Sequence, residues 1–226
     1  MSLTQLSPHA WVHTQAFAMK GVEMGTRSTL IAYAPGELLL IGPGPETQSA
    51  AADIQAQGTV KHVVAPNAFH HLYLRDAHRL FSEATLWAPG AVAKKQPDLP
   101  LERLHTAQDY PWSSAVETLG LQGTRLQEYV FFHGESKTLV LTDLLFNVVA
   151  PQGLKAQLVT AIMGTRGKLA CSRLVKTLAI QDKSLLRDSL EQILRWDFER
   201  IVMAHGACVE ENARTRFTEA LAFVLE

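Results

Sequence analysis

The stretch Lys61-His62-Val63-Val64-Ala65-Pro66-Asn67-Ala68-Phe69-His70-His71 decides how this chain is to be read. It opens with a short β-branched run of the kind that forms strands, and Pro66-Asn67 punctuates it as a turn. Beyond the turn, residues from His70 onward predict a helix with Leu72, Leu74, Leu80 and Phe81 facing inward. Two histidines therefore stand where a strand hands over to a helix. Ligands and catalytic groups collect at such places because the sheet fixes the backbone while the loop exposes the side chain.

Working outward, the residues before this stretch predict strands at 10–13, 28–34 and 37–41, the last two joined by a Pro35-Gly36 turn. The breakers Gly42-Pro43-Gly44-Pro45 follow, then a helix over 47–57 closed by Gly58. After it come a strand at 85–88, an irregular proline-containing excursion to about residue 113, and strands at 115–119, 128–132 and 137–141. Gly134-Glu135-Ser136 turns the last pair. Helices are expected at 153–163, 183–196 and 209–225, with a strand at 200–204 between the last two. Strands with helices between and after them, and no internal repeat, predict one α/β domain over residues 1–226 with two sheets covered by helices.

The chain has 226 residues, 47% apolar and 19% charged, with 21 Lys and Arg against 22 Asp and Glu. A domain of this size buries roughly 70–75% of the surface its unfolded chain exposes, so a metal is not needed for folding and would be present for chemistry. The near-neutral balance gives no field for nucleic acid, and no basic cluster beside an apolar helix suggests a membrane surface. The expected partner is a small-molecule substrate or ligand. Two cysteines, Cys171 and Cys208, are too few for a disulfide framework, and the first residues lack an export signal, so a cytoplasmic location is expected.

The pattern of the opening stretch recurs. Of nine histidines, His133 follows Tyr129-Val130-Phe131-Phe132 and His205 follows Ile201-Val202-Met203-Ala204, while Asp143 follows Leu139-Val140-Leu141-Thr142. Four strand ends offering His, His, Asp and His predict one cluster. His9, His13, His62, His78 and His105 are assigned to surface or core. No G-x-S-x-G, Walker loop or G-x-G-x-x-G occurs, which disfavours serine hydrolase chemistry and nucleotide binding.

These segments resemble a metallo-β-lactamase-fold protein. Leu38-Leu39-Leu40-Ile41-Gly42-Pro43-Gly44 is similar to the family's strand ending in Ile-Asp-x-Gly. Residues 63–71 occupy the place of its H-x-H-x-D-H loop. His133-Gly134 with Leu139 to Asp143 resembles a later hairpin and Gly-Asp, and His205-Gly206 the terminal Gly-His-Gly. The Pro-Asn-Ala-Phe-His-His stretch resembles the branch called DUF4336. The resemblance implies a four-layer αββα sandwich with the site at the edge shared by both sheets.

The departures matter as much. Pro66 and Ala68 stand where the first two histidines of H-x-H-x-D-H belong, and Gly42 replaces the family aspartate, so the resemblance implies that the first of two metal sites is lost. For the second it implies the ligands His70, His71, Asp143 and His205. Such a set suits one divalent metal, Zn, Fe, Mn or Ni with zinc slightly preferred, acting as Lewis acid and activator of water. Asp143 and His133 are the expected catalytic groups, His133 either as a fifth ligand or as an acid or base near the vacated site. The implied activity is hydrolysis of an ester, lactone, thioester or phosphodiester. The alternative is an inactive fold that binds a ligand or partner. Each group also has an ordinary role open to it: His71 can cap its helix, Asp143 can cap the turn into Leu144, and His205 can simply pack. Arg166, Lys168 and Arg173 either hold an anionic substrate or form a solvated turn.

Overall fold

Alternation along the strands builds the layers. In the strand 37–41, Leu38 and Leu40 point one way and Leu39 and Ile41 the other, as the two-residue period requires, and all four are buried. The computed structural model describes residues 3–19, 21–105 and 109–226. In chain order its first elements are β1 (Thr4–Ser7), β2 (Ala10–Gln15), β3 (Ala18–Met19), β4 (Val22–Glu23), β5 (Thr26–Ala34) and β6 (Glu37–Ile41). Helix α1 (Ala51–Gln57), β7 (Thr59–Val64), α2 (Leu74–Leu80), β8 (Thr85–Ala88), α3 (Gly90–Lys95) and β9 (Leu101–Arg103) follow. They form a seven-stranded sheet of order β1-β2-β5-β6-β7-β8-β9, with β3 and β4 as a separate ribbon.

The second sheet comprises β10 (Val116–Gly120), β11 (Tyr129–His133), β12 (Thr138–Leu141) and β15 (Arg200–Met203), in the order β10-β11-β12-β15. Between its last two strands lie the ribbon of β13 (Phe146–Asn147) and β14 (Leu169–Ala170), helices α4 (Gly153–Met163) and α5 (Lys183–Ile193), and a π-helical turn at Val175–Ala179. Helix α6 (Ala213–Leu225) closes the chain.

Three apolar layers hold these sheets together. Leu38, Leu40 and Val63 face Ile54 of α1, Leu74 of α2 and Val92 of α3. Leu39, Ile41 and Val64 face Phe131, Val140 and Val202 of the other sheet. On the far side Val130, Phe132, Leu139 and Ile201 pack on Leu186 and Leu190 of α5 and on Phe217 and Leu221 of α6. This is the expected αββα sandwich. No helix among the described residues is long and apolar enough to cross a membrane.

Several expected elements shift. The helix over 47–57 is regular only from Ala51, and the last helix begins at Ala213 after Asn212 in a left-handed conformation. Residues 71–73 are turns, so Leu72 is exposed rather than inward. The irregular excursion contains α3 and β9, and its residues 106–108 lie outside the described residues.

Between the sheets sits an aromatic group. Trp87 and Trp112 pack edge to face with ring centroids 5.3 Å apart, and His62 touches both. The Trp87 indole N–H donates to His62 Nδ1 at 3.2 Å, so the imidazole there is an acceptor and neutral. Burial lowers the pKa of His62 from its ordinary 6.5, and burial also lowers those of His13 and His133. A histidine whose folded pKa lies below its unfolded value contributes stability above the unfolded pKa and loses it as pH falls toward the folded pKa. Denaturant midpoints taken from about pH 7.5 to about pH 5 should therefore fall below about pH 6.5, and His62→Phe should flatten that fall. An unchanged slope in the variant counts against a neutral buried His62.

Candidate metal centre

Two parallel strands set the centre. β12 and β15 run side by side with Leu141 opposite Met203, so Asp143 and His205, each two residues further on, leave the sheet next to one another. From the first sheet β7 ends in the same region, and the loop after it delivers His70. Asp143 Oδ1 lies 3.6 Å from His205 Nε2, and Asp143 Oδ2 lies 3.5 Å from His70 Nε2. The side chains of the three are 7–14% exposed, and their ligand-capable atoms all lie within 4.8 Å of one another.

His205 is fixed on every side. Its Nδ1 is 2.7 Å from the Gly25 carbonyl oxygen; a carbonyl can only accept, so Nδ1 carries the proton and the neutral ring turns its Nε2 lone pair to the cluster. Phe146 stacks on the ring at 5.5 Å. The next residue, Gly206, has φ +91, and a Cβ there would run into the Asn147 carbonyl. That requirement explains the His205-Gly206 pair.

The profile of DUF4336, described as a domain of unknown function, matches residues 8–153, more than half of the chain. The chain belongs to the DUF4336 family. No match was found among curated proteins. In structure it is similar to a metallo-β-lactamase from Pontibacter korlensis, with a TM-score of 0.68 and 15% identity over 99% of this chain and 98% of that one. It is also similar to TMB-1, with a TM-score of 0.70 and 9% identity over 100% and 98% of the two chains. A third likeness is to the metal-soaked Flv1 flavodiiron core from Synechocystis sp. PCC6803, with a TM-score of 0.70 and 12% identity over 99% of this chain and 60% of that one. At such identities the likeness is one of fold: this DUF4336 chain has the metallo-β-lactamase fold.

The expected site residues divide between two places. His70, Asp143 and His205 come together. His71 lines the same cavity but stands outside the cluster, its Nδ1 buried without a partner. The turn explains the split, because Asn67 Oδ1 accepts from the N–H groups of both Phe69 and His70 and so aims His70 at Asp143. His133 is elsewhere. It is the last residue of β11, pairs with Thr138 at the start of β12, and bonds Ser136 Oγ at 2.7 Å. Because β11 and β12 are antiparallel, the end of one meets the beginning of the other, while Asp143 follows the end of β12. His133 is thus about 13 Å of strand away from Tyr129, the residue of β11 nearest the centre, whose N–H donates to Pro66 O at 2.8 Å. An acid or base role for His133 at this centre is corrected by that register. Arg166 and Arg173 bond to Gln157 and to Ile162 O of α4, outside the cavity's lining.

Two residues that sequence reasoning passed over hold the centre in place. Asn67, fully buried, donates through Nδ2 to Asp143 Oδ2 at 2.7 Å and to Thr142 Oγ1 at 2.8 Å. Its position after Pro66 reads as an ordinary turn signal, and such an Asx turn is the one hint the sequence carries. Glu128, also fully buried, accepts from the backbone N–H groups of Thr142, Asp143 and Leu144. Nothing in the sequence marks it. Burial pushes the Glu128 carboxyl up to about 7, and the neighbouring Asp143 charge adds to the rise, against the bonds from the backbone and side chain of Thr142 and the Asp143 N–H.

Burial also acts to raise Asp143, but the His70 and His205 imidazoles and the Asn67 amide overcome it and hold the carboxyl at about 2. Burial acts to lower His70, and Asp143 overrides it, so its pKa rises; for His205 burial prevails and the pKa falls. An ionised carboxylate and two imidazoles make a donor set that suits Zn, Fe or Mn. Ligands about 2.1 Å from a tetrahedral ion stand about 3.4 Å apart; the two imidazoles approach different oxygens of Asp143 at 3.5 and 3.6 Å and all three ligand atoms lie within 4.8 Å of one another, so these residues could hold a single divalent metal.

If Asn67 is the bracket, Asn67→Ala should cost about 2–4 kcal/mol in stability, since it strips hydrogen bonds from the Phe69 and His70 N–H groups and from Asp143. Metal affinity should fall about 10–100-fold, as for loss of a residue that orients a ligand. Denaturation and metal titration check the two; a variant as stable and as tight as the wild type would contradict the assignment.

Proposed function

We propose that this chain is a metal-dependent hydrolase with at most one metal, held by His70, Asp143 and His205. The observation that supports it most is that three side chains from two sheets converge on one point at the wall of an open cavity of about 620 Å³, where the fold's layers alone would need no polar group. A bound divalent ion would supply Lewis acidity and lower the pKa of water. The chain's own residues orient and exclude: Asp143 stays ionised, His205 offers Nε2 because Gly25 O keeps the proton on Nδ1, and Phe146 shields one face of that ring. His71 lines the same cavity beside the centre. In the proposed reaction one water adds across an ester, lactone, thioester or phosphodiester bond, and the leaving oxygen or sulfur takes a proton.

A second reading, an inactive fold that binds a ligand, is favoured by one observation. Pro66 and Ala68, where the family's first-site histidines belong, serve backbone pairing instead, through Pro66 O to Tyr129 N and Ala68 N to Leu126 O.

Elemental analysis after dialysis should give no more than one equivalent of metal per chain, and His70→Ala or His205→Ala should each lose it while the fold stands. Two retained equivalents would contradict the single site. On a panel of the four substrate classes, Asp143→Asn should lower a metal-dependent rate at least tenfold, about 1.4 kcal/mol in barrier, while His133→Ala leaves it essentially unchanged. Metal bound without activity on any class hands the protein to the second reading.

A further inference from the structure

The cavity that opens onto the centre is built from side chains that a water-filled site would not favour. Phe17, Met24, Phe146, Met163 and Val175 line it from within. Phe69, Leu72, Leu174 and Leu178 also line it, and each is more than half exposed. Large apolar side chains left in water together, around one concavity, mark a ligand groove rather than ordinary surface. Its volume, about 620 Å³, falls within the about 300–1,000 Å³ usual for small-molecule sites. Apart from the centre and His71, the polar side chains on its wall are Thr26, Tyr73, Arg125 and Ser172.

We infer that the substrate carries a long hydrocarbon chain, an acyl ester, lactone or thioester whose chain lies against Leu174, Leu178, Leu72 and Phe69 while its polar end reaches His70, Asp143 and His205. This rests on the hydrolase reading and narrows it. A phosphodiester with a charged backbone would find one guanidinium, Arg125, on a wall whose other side chains away from the centre are mostly apolar. An acyl chain exchanges water for that wall along its whole length. The two methionines suit it as well, since their unbranched, polarisable side chains adapt to a flexible ligand.

The inference is tested with the saturated carboxylates octanoate, dodecanoate and hexadecanoate, titrated calorimetrically into the full chain. Each added methylene should tighten binding severalfold until the chain outgrows the cavity, about fourfold at about 0.8 kcal/mol per CH₂. Leu174→Glu and Leu178→Glu, both at exposed positions where the fold should tolerate charge, should weaken dodecanoate binding at least tenfold. Leu185→Glu, an exposed leucine outside the cavity, should leave it unchanged. Metal content is measured on the same samples. A protein that takes metal but binds all three carboxylates equally, or whose Leu174 and Leu178 variants bind like the wild type, overturns the acyl-chain inference and leaves the metal reading standing. A protein with the chain-length trend but no metal keeps the chain site and loses the hydrolase reading instead.

Discussion

The side chain of Asn67 joins the two halves of the molecule at the point where they must agree. It follows the last strand-forming residues of β7 in the first sheet, and its amide donates to Thr142 and Asp143, which follow β12 in the second. Its oxygen meanwhile closes the turn that presents His70. A buried ionised carboxylate is costly unless it is paired and hydrogen-bonded, and here Asp143, which follows the second sheet's β12, finds His70 and the Asn67 amide on the loop that leaves the first sheet. The centre therefore exists only when both sheets are stacked in the observed register. Arg27 adds a second tie of the same kind, donating from β5 to the Met203 carbonyl at 2.7 Å just before His205.

Behind the centre, Glu128 performs for the loop what Asn67 performs for the side chains. Three consecutive backbone N–H groups, of Thr142, Asp143 and Leu144, point at one carboxylate, so the loop has nowhere to relax. The apolar layers are independent of these contacts. Leu39, Val140 and Val202 pack between the sheets, and Phe217 and Leu221 of α6 pack on the far side, so the fold should survive removal of the ligands one at a time. The same separation lets the cavity carry a strongly apolar wall next to three ionisable groups, and a poorly hydrated wall strengthens the interactions among them.

Much of the fold was legible because it depends on local patterns. The alternation in Glu37–Ile41, the β-branched run before Pro66 and the apolar runs before Asp143 and His205 each marked a strand and its exit. The sequence does not say which end of an antiparallel pair an exit belongs to. His133 closes an apolar run as plainly as His205 does, but β11 runs against β12 whereas β15 runs with it, and that single difference sends one histidine to the centre and the other to the far end. His71 was misplaced for a shorter-range reason, since the direction of each side chain in the turn follows from the bonds to Asn67 and not from spacing. Glu128 was out of reach for sequence reasoning: its role comes from a tertiary contact with residues fourteen to sixteen positions later.

The proposed centre holds one metal between the two sheets through His70, Asp143 and His205. Anomalous diffraction from crystals grown with zinc or manganese, recorded at the absorption edge of the metal, tests it most directly. One strong peak is expected, bounded by His70 Nε2, an Asp143 oxygen and His205 Nε2, with His133 far from it. A principal peak at His133, or two peaks of equal strength in the cavity, would contradict it.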